Sequence, residues 1–142
     1  MVQYVTDIHA LNLASNTETT GDWHASAIQW RKLYIAESDN SLFGLWGIEL
    51  NSPLPIREHE GQRFNIANHL RALLDIIAAG RFPIAHGMRK DYIGNDAYND
   101  TIFSKVLLLR HQDNWPDIDA FMRKEYGLSW MIYLKQAHND MA

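Results

Sequence analysis

The segment Asn65-Ile-Ala-Asn-His-Leu-Arg-Ala-Leu-Leu-Asp-Ile-Ile-Ala-Ala-Gly80 decides the fold that the sequence predicts. Large aliphatic residues recur in it at helical spacing and share one stripe: Ile66, Leu70, Leu73, Leu74 and Ile77. Asn65 is a suitable N-cap, and Gly80 stands where a helix ends in the left-handed conformation. The pattern predicts a buried helix over residues 65–79, to whose stability each large aliphatic contributes about 2 kcal/mol.

Three apolar segments carry the β-branched and aromatic residues typical of strands: residues 2–13, 33–36 and 42–50. The polar break at residues 37–41 predicts that the last two pair as a hairpin. Gly44 and Gly47 interrupt the third segment, which indicates a bulge or a close approach of another part of the chain.

Helical spacing also predicts elements outside the central segment. They are helices over residues 23–32, 101–111 and 114–126. Residues 128–134 are apolar and fit either a closing strand or a helix. The chain length suits one domain. We therefore expect a compact α+β single domain over residues 1–142, with about four helices around the central helix and a small antiparallel sheet.

The charge pattern bears on the kind of partner. The chain has 17 Asp and Glu residues against 13 Lys and Arg, a net charge of −4, and its cations are scattered. Nucleic-acid binding usually needs a basic stripe, so it is disfavoured here, although a small local patch for RNA stays open. An acidic surface favours a protein partner with a basic surface.

Several classes of protein are excluded by composition. The chain has no cysteine, which excludes disulfides, thiolate metal sites and a cysteine nucleophile. Its first residues lack the basic and apolar regions of a signal peptide, and no stretch approaches the ~20 apolar residues that span a bilayer. We expect a cytoplasmic protein without membrane contact.

Seven histidines invite a search for a metal site: His9, His24, His59, His69, His86, His111 and His138. Ligand pairs on one helix or strand need i, i+4 or i, i+2 spacing, and no histidine pair has it. The sequence therefore predicts neither a metal nor another cofactor. It favours surface histidines or hydrogen-bonded core histidines.

An alternative interpretation is catalytic. Residues Arg63 to His69 match the loose Arg-x(4–6)-His pattern of HEPN ribonucleases, and Arg81 to His86 match it with a proline inside. In this alternative the protein is a small toxin-type enzyme acting on RNA or a nucleotide. His69 or His24 would be the general base, and Arg63 or Arg71 would hold phosphate. The favoured interpretation makes His69 a boundary residue at the edge of the apolar stripe.

Three motifs carry a resemblance. They are Asp7-Ile-His-Ala-Leu-Asn-Leu13, Gly21-Asp-Trp-His24 and Ala67-Asn-His-Leu-Arg-Ala-Leu-Leu-Asp75. Together they resemble small bacterial proteins, of about this length, that are associated with toxin–antitoxin and phage-defence loci. The resemblance implies membership of such a pair and supplies no catalytic residues.

The leading hypothesis is a non-catalytic binding protein, an antitoxin or immunity component that neutralises a protein partner, such as a cognate toxin, by direct contact. It rests on the acidic charge, the 5 Trp and 6 Tyr suited to interface hot spots, and the absence of a compact catalytic motif. The predicted partner contacts are Trp23, His24, His69 and Trp115. A scaffold that works as a homo-oligomer is the third alternative.

Overall fold

All the described strands lie in the first half of the chain, and five of the six described α-helices follow the last of them. This computed structural model describes residues 2–15, 17, 19, 23 and 28–141. In chain order the elements are β1 (Gln3–Val5), α1 (Asp7–Leu11), β2 (Ile35–Glu37), β3 (Ile48–Pro53), β4 (Arg63–Ala67), α2 (His69–Ala78), α3 (Phe82–Ala85), α4 (Asn99–Leu107), α5 (Trp115–Tyr126) and α6 (Leu128–Met141). Short 3-10 turns and one π-helical turn, Met88–Ile93, join them. The described residues thus form an α+β domain.

The sheet has the spatial order β2-β1-β4-β3 and is mixed. Its outer pairs are antiparallel, but β1 and β4 run parallel, with Val5 opposite Ile66. The expectation of an antiparallel sheet is therefore wrong, and so is the hairpin between residues 33–36 and 42–50. A local apolar pattern does not show which strands become neighbours. In the structure β2 pairs with β1 and β3 pairs with β4, so β2 and β3 do not form a hairpin.

The central helix is shorter than predicted. It begins at His69, and Asn68 is its N-cap, with the side-chain oxygen accepting the Arg71 amide at 2.8 Å. Asn65 is not a cap, because residues 63–67 are extended and pair with β3. The predicted end is confirmed, since Gly80 has φ of 75° and its amide bonds the Ile77 carbonyl at 3.0 Å.

The predicted apolar stripe is the centre of the core. Its five members, Ile66, Leu70, Leu73, Leu74 and Ile77, are all buried. Ile66 reaches the core from β4 and the other four from α2. Helices α1, α3 and α4 contact α2, so the helix is enclosed by the other elements.

The remaining helical predictions have mixed outcomes. The helix over residues 114–126 is confirmed as α5, and residues 128–134 belong to α6. The helix predicted over residues 101–111 is α4, which begins and ends earlier. The helix over residues 23–32 is wrong where it can be judged, because residues 28–32 are not helical and residues 24–27 lie outside the described part. Six α-helices occur in that part, the central helix α2 and five others, where about four were expected around it.

Candidate functional site

His69 lies in the core rather than at its boundary. Its side chain is fully buried, Nε2 lies 2.5 Å from the Leu13 carbonyl, and Nδ1 contacts the Thr19 hydroxyl. This pattern suits a neutral ring in which Nε2–H donates and Nδ1 accepts, and burial lowers the pKa of His69. The expected boundary position is therefore wrong. With both nitrogens engaged, the ring presents nothing to a substrate or partner.

The two arginines of the catalytic alternative point to different places. Arg63 is exposed at the start of β4 and bonds the Asn51 carbonyl, at 2.5 Å from Nη2. Arg71 is fully buried and pairs with Asp75. The structure thus does not bring Arg63, Arg71 and His69 together around one substrate, and His24 lies outside the described residues.

The predicted partner contacts do not share one surface either. Trp23 is buried, its indole N–H donates to the Ile84 carbonyl at 2.7 Å, and its ring meets Tyr92 edge-on. Trp115 is half-buried against the core, with its ring centroid 6.2 Å from that of Trp130. Both tryptophans therefore serve packing.

A cleft of about 440 Å³ lies where β2 ends the sheet. Residues from β1, β2, the turn at 40–43, the end of α2 and the segment after α4 line it. Its lining includes three acidic residues, Asp7, Glu37 and Asp75, and no lysine, arginine or histidine among the described residues. The volume falls in the range of small-molecule and side-chain pockets.

Asp75 forms the polar floor of this cleft. Its Oδ2 accepts hydrogen bonds from the Tyr4 and Thr6 hydroxyls, both at 2.7 Å, and Oδ1 lies 3.0 Å from Arg71 Nε. Burial and the neighbouring carboxylate raise the pKa of the Tyr4 hydroxyl, which keeps it a donor. Asp75 is thereby held in one orientation, and 14% of its side chain stays exposed.

Asp7 is the second carboxylate of the cleft and the most strained. It is buried, and its φ of 60° is a left-handed conformation unusual for a residue other than glycine. Its Oδ1 accepts the Ile8 amide at 2.7 Å, and Arg81 Nε lies 3.0 Å from Oδ2. Burial raises the pKa of Asp7 despite this pairing. A buried, strained carboxylate of this kind is typical of functional sites.

The rim of the cleft is apolar. Three large side chains that line it are exposed to solvent: Tyr34, Ile35 and Leu42. The Arg81 guanidinium packs over the Tyr34 ring, 5.2 Å from its centroid. The rim therefore offers apolar and aromatic surface beside buried negative charge.

The sequence analysis did not single out this site. Asp7 and Asp75 each lie in one of the quoted motifs, at the start of the first and the end of the third. The available signal was Asp75, a charged residue inside the apolar α2 pattern, one turn after Arg71. Its meaning depends on Tyr4 and Thr6, which lie about 70 positions earlier in the chain.

Comparisons with protein-family models, with characterised proteins and with solved structures returned no match. Within the described residues, no group of three or more His, Asp or Glu side chains is arranged to hold a metal ion. None of the helices in that part combines the length and apolar character needed to cross a bilayer. The function must therefore be argued from the cleft itself.

Proposed function

We propose that this protein is a non-catalytic binding component of a bacterial toxin–antitoxin or defence pair, and that it neutralises a basic protein partner by direct contact at the cleft. One observation carries the proposal. Exposed apolar side chains, Tyr34, Ile35 and Leu42, surround a cleft whose charged lining residues are all acidic. Exposed apolar and aromatic side chains grouped on a surface mark sites of protein contact, and acidic groups among them select a basic partner.

The charge arrangement supports a cationic occupant. The cations that balance the cleft carboxylates stand outside its lining, since Arg71 is fully buried beyond Asp75 and Arg81 approaches Asp7 from the side. Glu37 instead bonds a neutral side chain, that of Gln3, at 3.5 Å. Because Asp7 and Asp75 already pair with arginines, a lysine or arginine brought by a partner would be attracted mainly by Glu37, in keeping with the net charge of −4.

The geometry of the predicted catalytic groups also supports binding over catalysis. His69 has both ring nitrogens engaged inside the core. Two of the cleft carboxylates, Asp7 and Asp75, are held in place by hydrogen bonds, which suits a rigid recognition surface more than a proton-transferring pair.

The test is co-expression with the product of each gene that flanks this one. We expect one of these products to arrest growth by itself, and the wild-type protein to restore growth and to co-purify with it. Leu42→Arg places a positive charge on the rim, where it repels a basic partner. Leu42 is 61% exposed, so the fold should tolerate the change and rescue should be lost.

The matched control is Leu128→Arg. Leu128 is 68% exposed on α6 and does not line the cleft, so this variant should rescue growth like wild type. Equal loss of rescue in both variants would reject the cleft as the contact surface. Growth arrest by this protein expressed alone would instead favour the toxin-type enzyme.

A further inference from the structure

The cleft lies beside the outer edge of β2, with which no described strand pairs, and this edge suggests how a partner could bind. We propose that the partner adds an extended segment to the outer edge of β2, with a cationic side chain in the cleft and an apolar side chain against Ile35. This inference rests on the proposed function and specifies its mode of recognition. Three observations support it: the direction of the β2 hydrogen bonds, the features of the opposite edge of the sheet, and the side chains on each face of β2.

The backbone of β2 points alternately toward β1 and toward the edge. The Tyr34 carbonyl accepts the Thr6 amide at 3.0 Å, and the Ser38 amide donates to the Val2 carbonyl at 2.8 Å. In an antiparallel pair these groups alternate, so Ala36 also faces β1 while Ile35 and Glu37 turn their amides outward. No described strand pairs with those outward groups.

The opposite edge of the sheet is protected against such pairing. Strand β3 contains Pro53, which has no amide hydrogen, and its register shifts between Glu49 and Ser52. Asn51, inside that irregularity, has φ of 52°. The β2 edge has none of these features, so an added strand has one suitable place within the described sheet.

The side chains of β2 define what the added segment must carry. Ala36 is opposite Tyr4, whose hydroxyl reaches Asp75, so this face of β2 borders the cleft. Ile35 and Glu37 are opposite Val5 and Gln3, so their side chains alternate with that of Ala36, and both residues also line the cleft at the strand edge. Because side chains alternate along a strand, the segment would need cationic residues at every second position and apolar residues at the positions between them.

Arginine is the cation that the cleft suits best. Arg81 already packs on the Tyr34 ring and pairs with Asp7, which demonstrates the same chemistry within the chain. A partner arginine could use the exposed part of Asp75 and the aromatic wall in the same way. Strand β2 has only three residues, so its short ladder needs this side-chain contact for affinity.

The probe is a phage-displayed library of random short peptides, selected on the wild-type protein. We expect the enriched peptides to alternate arginine or lysine with apolar residues. On addition of a synthetic enriched peptide, the NMR amide signals of Ile35, Ala36 and Glu37 should shift. Failure to enrich any peptide, or enrichment of sequences without basic residues, would overturn the inference.

Two changes isolate the backbone contact. Ile35→Pro removes an outward amide without breaking a bond to β1, so it should lower the affinity for the peptide at least about tenfold. Ile35→Val keeps this amide and should bind the peptide like wild type. N-methylation of the peptide at its β2-facing amides should cause the same loss with the protein unchanged. Undiminished binding of the methylated peptide would reject strand addition.

The proposed function and strand addition can be tested separately. Suppose that Leu42→Arg abolishes neutralisation of the flanking gene product, while Ile35→Pro, shown to be folded by circular dichroism, retains it. The cleft is then the contact surface and strand addition is wrong. If no flanking product is neutralised by wild type, the proposed function itself fails.

Discussion

Arg71 and Asp75 lie one turn apart on α2 and form an ion pair, with 3.0 Å between Nε and Oδ1 and the arginine side chain fully buried. The guanidinium also donates to the Gly44 and Trp46 carbonyls, at 2.9 and 2.5 Å, and to the Tyr4 hydroxyl at 2.9 Å. The pair therefore joins the central helix to β1 and to the turn before β3, and it fixes the floor of the cleft.

Removal of this arginine should be severely destabilising. Arg71→Met leaves Asp75 without its counter-charge and two partly buried carbonyls without donors, so we expect a loss of about 3 kcal/mol or more in the free energy of unfolding. Urea denaturation measures it. The control is Arg123→Met, which breaks an exposed pair of the same spacing, with Asp119 at 3.1 Å, and should cost about 0.5 kcal/mol or less. Equal losses would contradict the central role of Arg71.

Gly47 is the point of close approach that the sequence predicted. A Cβ there would lie 2.7 Å from the Cβ of Arg71, and its φ is 75°. Gly47→Ala should therefore be strongly destabilising in thermal denaturation. Gly44→Ala is the matched variant, because Gly44 also has positive φ but open space around it. It should cost only the left-handed strain, about 1–2 kcal/mol. A smaller loss at Gly47 than at Gly44 would refute the close contact.

The buried His69 should make stability fall in acid. Its folded pKa lies below the ordinary value of 6.5, so the unfolded chain takes up the proton first as the pH falls. Its contribution is complete above pH 6.5 and is lost below it, with a slope of up to about 1.4 kcal/mol per pH unit. In His69→Gln this slope should disappear from urea denaturation curves. His111→Gln, at an exposed position, should keep it. A slope unchanged in His69→Gln would show that another group titrates.

The pH dependence of stability that arises from Asp7 should be opposite to that from His69. Its folded pKa lies above 3.8, so the folded state holds a proton that the unfolded chain has released, and stability from this group falls as the pH rises through that window. Asp7→Asn removes the charge and tolerates the left-handed backbone, so we expect it to raise the free energy of unfolding at pH 7. The gain should shrink toward pH 4.

Two comparisons make the Asp7 experiment decisive. Asp7→Ala loses the hydrogen bond to the Ile8 amide and keeps the positive φ, so it should be less stable than wild type at pH 7. Asp7→Asn should also weaken binding at the cleft, because the lining loses a carboxylate. If Asp7→Asn is instead less stable than wild type, the ion pair of Asp7 with Arg81 stabilises the fold by more than burial of the Asp7 carboxylate destabilises it.

The sequence alone determined the local features of the fold. The aliphatic stripe from Leu70 to Ile77 and the stop at Gly80 are properties of neighbouring residues, and both are present in the structure. Helix α5 was predictable for the same reason, since apolar spacing and a terminal glycine define it. The α+β class follows from such local patterns.

Only the tertiary structure decided the sheet and the site. The parallel pairing of β1 with β4, and the contact of Tyr4 and Thr6 with Asp75, join residues that are far apart in sequence. His69 illustrates the same limit, because its burial depends on Leu13 and Thr19 rather than on its place in α2. Hydrophobic periodicity tells which side of an element faces inward, whereas long-range packing decides which polar groups meet there.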